Sequence, residues 1–250
     1  MKDAENRLEG KTALVTGAAR RIGRAISLAL ARHGVHLVIH YHRSVREAES
    51  LLRDIQGLGV KGWLVKADLG DPKQVETLFE RAVGEAGPID ILINNASIWP
   101  KETLWEVSDQ SLRTAMRIHA LAPLVLSRDL AKQNRPGQIV NLLDTHVTGY
   151  DKTHTAYHLS KRSLLTLTGM LALELAPAVT VNAIAPGLIL PPEGQDETYL
   201  QKLSHTNPMN RYGGPEDVTE AVIFLLRSRF ITGQILYIDG GFHMKGHLYG

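Results

Sequence analysis

Short β-branched apolar runs alternate with amphipathic stretches along most of the chain. KTALVT (11–16) reads as a strand, followed by a glycine-rich turn and a helix from about Arg21 to His33. VHLVIHY (35–41) predicts a second strand, with the charged amphipathic helix SVREAESLLRDIQ behind it. VKGWLVKAD (60–68) predicts a third, and a helix opens at Pro72, where a missing N–H costs nothing. IDILINN (89–95) is the fourth strand, a long helical stretch covers about Asp109–Gln133, and GQIVNLL (137–143) is the fifth strand. A helix through Tyr157–Leu175 follows, then the strands AVTVNAIAP (178–186) and QILYID (234–239). Strands that are apolar throughout, set between helices, indicate a parallel sheet covered on both faces. The expected fold class is α/β: a single-domain, Rossmann-type, doubly wound parallel sheet of about seven strands with helices on both faces. No repeat, low-complexity tract or linker divides residues 1–250. The irregular LPPEGQDET (190–198) opens an insertion near 190–210. It reads either as a lid, since ligands in this architecture bind beyond the carboxyl ends of the strands, or as a plain surface insertion.

Composition narrows the chemistry. With 250 residues, 44% hydrophobic and 22% charged, the chain can bury a sizeable core and has an ordinary globular balance. A formal net charge of +2 is too small to argue for a nucleic-acid partner. The absence of cysteine excludes disulfides, thiolate catalysis and Cys-ligated metals. The stretch MKDAENRLEGK lacks an apolar signal core, and no apolar run approaches the ~20 residues that span a bilayer. The expectation is a cytoplasmic enzyme or binding protein without a membrane partner.

The first strand runs into TGAARRIG (16–23). Gly17 permits a tight turn, Gly23 allows the helix close to the sheet, and the backbone N–H groups at the helix start can hold a pyrophosphate. A lone glycine turn is a weak signal, but Arg20 and Arg21 at an anion-binding helix start are costly unless an anion is present. The second strand ends in HYHRS (40–44). An acidic residue there would read a ribose hydroxyl; His42, Arg43 and Ser44 instead suit a 2′-phosphate, favouring NADP over NAD. Asp68, after the third strand, can accept from an adenine amino group or act as an ordinary turn residue.

Tyr157 and Lys161 lie one helical turn apart, so their side chains share a face. An ammonium beside a phenol favours the phenolate and is expected to lower the tyrosine pKa from its usual ~10. Asp144 stands thirteen residues before the tyrosine, at the end of the fifth strand. An ionised carboxylate cannot donate a hydrogen bond to a carbonyl oxygen, but it can orient a tyrosine hydroxyl and help relay a proton. The alternative is a degenerate site that only binds nucleotide.

Together, TGAARRIG, Asp68, NNAS (94–97), Tyr157-x-x-x-Lys161 and PG (186–187) resemble the short-chain dehydrogenase/reductases over about residues 10–242. Within that family the chain is similar to pteridine reductases, including the dihydromonapterin reductases, through three features. Arg21 replaces the middle glycine of the turn, YHRS (41–44) follows the second strand, and Asp144 replaces the usual catalytic serine. The resemblance implies cofactor contacts at Gly17, Arg20, Arg21, Ile22 and Gly23, at Asp68 and Leu69, and at the phosphate set His42, Arg43 and Ser44. It places Asn95 and Ala96 on the adenosine side, Ser97 toward the nicotinamide, and Pro186, Gly187 and Leu188 against the nicotinamide. Lys161 would bond the nicotinamide ribose, and Arg21 would sit beside either the pterin or the pyrophosphate. Trp99 matches an aromatic residue that stacks on the pterin. His119 stands where most members carry an asparagine that kinks the helix and anchors a relay water; an imidazole can still donate and accept, which permits a modified relay.

The resemblance thus implies NADPH-dependent reduction of a dihydropterin C=N bond, with dihydromonapterin, dihydrobiopterin or dihydrofolate as substrate and Asp144, Tyr157 and Lys161 as catalytic residues. Substrate contacts would come from Arg21, Ser97, Trp99, Asp144 and Tyr157. A carbonyl reductase with an atypical aspartate and a non-catalytic NADPH-binding regulator are the alternatives. No metal is expected: His146, His154 and His158 lack a ligand spacing and read as solvated or packing residues, as Trp63 and Trp105 read as packing residues. The family's habit implies a homotetramer, formed partly by the helix carrying Tyr157, whose apolar residues occupy more than one face. The tail FHMKGHLYG is expected either to meet a neighbour or to fray.

Overall fold

Each apolar run forms a strand a little shorter than itself, because the residues at its ends leave the ladder to enter turns. The computed structural model describes residues 8–247. The strands are β1 (Thr12–Val15), β2 (His36–Tyr41), β3 (Gly62–Lys66), β4 (Ile91–Asn94), β5 (Gly137–Leu142), β6 (Val179–Pro186) and β7 (Ile235–Ile238). All pair in parallel, in the order β3-β2-β1-β4-β5-β6-β7. The order reverses between β1 and β4, and the crevice at such a switch point is where this architecture takes ligands.

The helices are α1 (Arg21–Arg32), α2 (Val45–Gly57), α3 (Pro72–Ala86), α4 (Asp109–Met116), α5 (Ala122–Ala131), α6 (Thr155–Glu174), α7 (Glu197–Leu203) and α8 (Pro215–Arg227). Alternate strand residues face two cores. Val15, Ile39 and Ile93 pack with Ile26, Leu30, Leu51 and Ile55 of α1 and α2 and with Val218 and Val222 of α8. Leu14, Val38, Leu92 and Val181 pack with Leu78 of α3, Leu126 of α5 and Leu171 of α6. All six residues of β5 are buried, as a central parallel strand requires.

Two differences from the sequence-based elements stand out. The expected helix over 109–133 is broken: Arg117–Leu121 winds as a π-helix between α4 and α5. The break lies just ahead of Pro123, which has no N–H to offer the His119 carbonyl one turn back. The helix α8 is an element the hydrophobic pattern had not yielded. Gly214 N–H donates to Asp217 Oδ2 at 2.7 Å, Pro215 starts the helix, and Val218, Val222, Leu225 and Leu226 are buried. Burial of each such aliphatic side chain contributes about 1.5–3 kcal/mol, so the segment is held as a helix by its packing.

Trp63 packs against the core and meets His36 edge-on, whereas Trp105 is 97% exposed, which corrects its assignment as a packing residue. Of the tail, Phe242–His247 forms 3-10 turns, and residues 248–250 lie outside the described residues, as does most of MKDAENRLEGK.

Candidate active site

The glycine turn is held from beneath by neighbouring strand ends. Gly17 has φ +61°, and a Cβ there would sit 2.9 Å from Ala96 Cα. A Cβ on Gly23 would lie 2.3 Å from the Gly17 carbonyl oxygen, so only glycine lets α1 begin this close. Asn95 Nδ2 donates to the carbonyls of Thr16 (2.9 Å) and Gly17 (3.1 Å). Thr16 Oγ1 accepts from the N–H groups of Asn95 and Ala96 at 2.9 and 3.1 Å. The Asn95 amide nitrogen therefore braces the turn. His40, which the sequence reading passed over, accepts from Gly17 N–H at Nδ1 (3.1 Å), and its Nε2 meets the Ala67 carbonyl (3.2 Å). Its complete burial lowers its pKa to about 4, so it stays neutral, with the proton on Nε2.

The residues expected to hold NADP lie around the start of α1 and the ends of β2, β3 and β6. α1 begins with no acidic residue in its first turn and no side chain capping it, leaving its N–H groups for an anion. Ser44 precedes α2 without capping it, and Arg43 beside it is exposed. Arg20, Arg21, Arg24 and Arg46, with Glu47, line an open hollow of about 420 Å³ between α1 and α2. The side chains of Ile22 and Leu69, both expected at the cofactor, pack with the two cores. Asp68 Oδ1 accepts from Gly70 N–H at 2.8 Å, and its other oxygen lies 3.7 Å from His42 Nε2. Gly187, after β6, lets the end of β7 approach: a Cβ there would lie 2.6 Å from Asp239 Cβ. Pro186 closes β6, and the Leu188 carbonyl accepts from Gly213 N–H at 3.0 Å.

Arg21 sits at φ +53°, a left-handed conformation that favours glycine. Its guanidinium donates to the Pro191 carbonyl at 2.7 Å, and Arg20 forms an ion pair with Glu193. Pro191 and Glu193 thus tie the stretch 190–198 to the glycine turn, while residues 193–198 are exposed to solvent. The stretch ends at α7, where Asp196 Oδ1 accepts from Thr198 N–H at 3.0 Å.

Across the cleft, the end of β5 and the first turns of α6 bring Asp144, Tyr157 and Lys161 together. A buried polar ladder sets their spacing. Asn94 Nδ2 donates to Asn141 Oδ1 (2.8 Å), and Asn141 Nδ2 donates to Thr168 Oγ1 on α6 (2.9 Å). Tyr157 donates its hydroxyl proton to Asp144 Oδ2 at 2.9 Å. Lys161 Nζ lies 5.7 Å from the tyrosine ring centroid and donates to the Leu142 carbonyl at 2.7 Å. Burial lowers the lysine pKa to about 8, opposed by the Asp144 charge.

The expected lowering of the tyrosine pKa is corrected here. Burial, then the charge of Asp144 and the hydrogen bond to it, push the phenol well above 10. The ammonium cannot offset a carboxylate in direct contact. Tyr157 is therefore a neutral phenol that keeps its proton and donates it in a hydrogen bond to the ionised Asp144. Burial taken alone would raise Asp144, but the hydrogen bonds and charge of His146 and the tyrosine hydroxyl hold it below the usual carboxylate range.

His119 answers the missing asparagine structurally. Its Nε2 accepts from Ile98 N–H at 3.1 Å and lies 3.0 Å from Ser97 Oγ. Its Nδ1 therefore carries the proton and lies 2.7 Å from Ser160 Oγ, which donates to the Tyr157 carbonyl at 2.7 Å. Both nitrogens are spent on backbone and hydroxyl partners, and burial, then Lys161, keeps the ring neutral. The π-helix at His119 supplies the kink. The ring braces α6 against the chain after β4.

Ser97 is exposed at the cleft. Trp99 is half exposed and stacked on His154 (centroids 4.1 Å apart, 11° between planes), leaving one face open. His154 and His158 are buried, in keeping with packing. His146 is not a bystander: its Nδ1 donates to Asp144 Oδ1 at 2.7 Å and its backbone N–H to the same oxygen at 2.8 Å. The signal was available as the Asp-Thr-His spacing, in which an aspartate caps the turn that follows it. Among the described residues, no group of three or more His, Asp or Glu could hold a metal, and no helix is long and apolar enough to cross a membrane.

Residues 17–243 match a family profile described as enoyl-(acyl carrier protein) reductase. The chain is 33% identical over 249 residues to the 3-oxoacyl-[acyl-carrier-protein] reductase FabG of Staphylococcus aureus, covering 94% of this chain and 98% of that protein. It superposes on FolM alternative dihydrofolate reductase 1 from Brucella canis, complexed with NADP, with a TM-score of 0.90 and 34% identity over 96% of both chains. A promiscuous reductase, LugOII, which catalyses keto-reduction at C1 during lugdunomycin biosynthesis, matches with a TM-score of 0.88 and 31% identity over 95% of this chain and 99% of that one.

Proposed function

The chain belongs to the short-chain dehydrogenase/reductase family and is an NADP(H)-dependent oxidoreductase, and on that premise we propose that it is a pteridine reductase acting on a dihydropterin. The carrying observation is the hydrogen bond from Tyr157 to Asp144 Oδ2. A ketone reductase needs two donors on its substrate oxygen, and an ionised Asp144 is only an acceptor. A pterin presents amino and ring N–H donors to such an oxygen, and its C=N reduction ends with a proton on nitrogen. Bound NADPH supplies the hydride. Tyr157 delivers the proton, Asp144 orients the phenol and accepts from the pterin, and Lys161 holds the nicotinamide ribose. The open face of Trp99 receives the flat pterin ring, its other face being fixed by His154.

The likeness to FolM supports this reading, and the likeness to FabG and LugOII favours a second one, a carbonyl reductase with an atypical aspartate. Rates of NADPH consumption with a panel of dihydropterins and a panel of ketones separate the two. Turnover of dihydromonapterin, dihydrobiopterin or dihydrofolate is expected; turnover of ketones alone overturns the reading. Asp144→Ser is expected to cut the pterin rate sharply, and an unchanged rate would remove the assigned role. A homotetramer fits the exposed Leu159, Met170 and Leu173 along α6, and light scattering of the purified protein checks it.

A further inference from the structure

Reduction at nitrogen consumes a proton in every turnover, so the active site must be refilled from solvent. Lys161 Nζ is directed to the Leu142 carbonyl, and both nitrogens of His119 are occupied by Ile98, Ser97 and Ser160. The Tyr157 hydroxyl, in contrast, continues through a hydrogen-bonded chain. It meets Asp144 Oδ2 at 2.9 Å, and Asp144 Oδ1 meets His146 Nδ1 at 2.7 Å. The His146 side chain is 48% exposed, against 25% for Asp144. We propose that His146 is the proton port of the active site, refilling Tyr157 from solvent through Asp144.

The protons balance along this chain. The Tyr157 O–H bond breaks as the substrate N–H bond forms. His146, as imidazolium, gives its Nδ1 proton to Asp144 Oδ1. A half-turn of the carboxyl group brings that proton to the phenolate oxygen, where the tyrosine O–H bond reforms. The neutral imidazole then takes a proton from water. Two features hold the port in place. Asp239 accepts from Thr145 Oγ1 and from His243 N–H (2.9 Å), fixing the turn after Asp144 against the C-terminal turn. That contact sets the Phe242 ring 5.1 Å from His146.

Protonation favours this assignment over direct refilling of the partly exposed Asp144. Asp144 is held below the usual carboxylate range, so near neutral pH its acid form is scarce. The Asp144 hydrogen bond, and the charges of Asp144 and Asp151, raise His146 above 6.5 despite partial burial. The other titratable groups around it are Tyr157 and His158 on α6 and, behind Phe242, Asp239 and His243. His158 is held below its usual value by burial, then by Arg162.

The inference rests on Tyr157 as proton donor and not on the pterin, so it is tested with whichever panel, pterin or ketone, the wild-type protein reduces. A protein that reduces neither overturns both readings. For His146→Gln, kcat near pH 7 is expected to fall about tenfold, less than the ~10²–10⁴ contributed by a group that transfers the proton to substrate itself. KM for NADPH should hold. The wild-type decline of kcat as pH rises through the histidine pKa should disappear. Added imidazole should restore rate to His146→Ala. A His146→Gln enzyme with the wild-type rate and pH profile overturns the proposal. So does a uniform loss at every pH that imidazole does not rescue, because that marks a purely structural histidine.

Discussion

Compare the two walls of the cleft through one histidine on each. Beside the glycine turn, His40 is 2% exposed, accepts a backbone N–H and has a pKa of about 4. Beyond β5, His146 is half exposed, donates to a carboxylate and has its pKa raised. The residue type is the same, and desolvation against a contacting charge decides its state. On the cofactor wall His40 is neutral and bound to backbone, and the charge near it is carried by arginines, which keep it at any working pH. The substrate wall is built from coupled, titrating groups. The first suits a ligand that must only be held; the second suits one that must receive a proton.

The largest expected effect breaks the substrate wall alone. Tyr157→Phe keeps the ring and removes the proton, and kcat is expected to fall on the order of 10²–10⁴-fold. NADPH affinity, read by fluorescence titration, should hardly move; parallel loss of both would mean the walls are not separable.

The next test is on the cofactor wall and concerns stability. His40 has a folded pKa of about 4, below the unfolded value of 6.5. The unfolded chain therefore binds the proton first as pH falls. His40's contribution is fully present above pH 6.5 and is lost progressively down to about pH 4. The loss between pH 7 and pH 4.5 amounts to about 2 kcal/mol. Urea melts at pH 7 and pH 4.5 should show this loss in the wild type and a much smaller one in His40→Gln, whose amide keeps both hydrogen-bonding roles without titrating.

A smaller effect sharpens the phosphate assignment. Arg43→Ala is expected to raise KM for NADPH about tenfold, the lower end for an exposed charge-assisted hydrogen bond. KM for NADH should change little; equal changes for both would remove Arg43 from the 2′-phosphate. The smallest effect is local: Arg21→Gly relieves the positive φ and should stabilise the fold by about 1 kcal/mol, read as a higher Tm. A lower Tm would mean that the contact of Arg21 with Pro191 outweighs the strain.

Much of this is legible in the amino-acid sequence. All seven strands followed from apolar runs, because strands buried on both faces tolerate little else. Gly17 and Gly23 followed from the close approach they permit, and the Tyr157–Lys161 pair from helical spacing. The helix α8 was also written in the chain, in GGPED followed by Val218, Val222, Leu225 and Leu226, since a Gly-Pro start and that spacing are local signals. The π-helix at His119 was foreshadowed by Pro123, although a proline alone does not say how a helix will yield.

The sequence by itself determined the architecture, the anion-binding turn and the identity of the groups at the end of β5, because each depends on local geometry or on periodic burial. Only the tertiary structure decided their electrical states. Whether Tyr157 is phenol or phenolate depends on which charge lies closest, and Asp144, thirteen residues away, is in contact where Lys161 is not. Whether His40, His119 or His146 carries a proton depends on how much water the packed elements leave at each ring. Desolvation and contact are properties of three-dimensional neighbours, and no spacing along the chain specifies them.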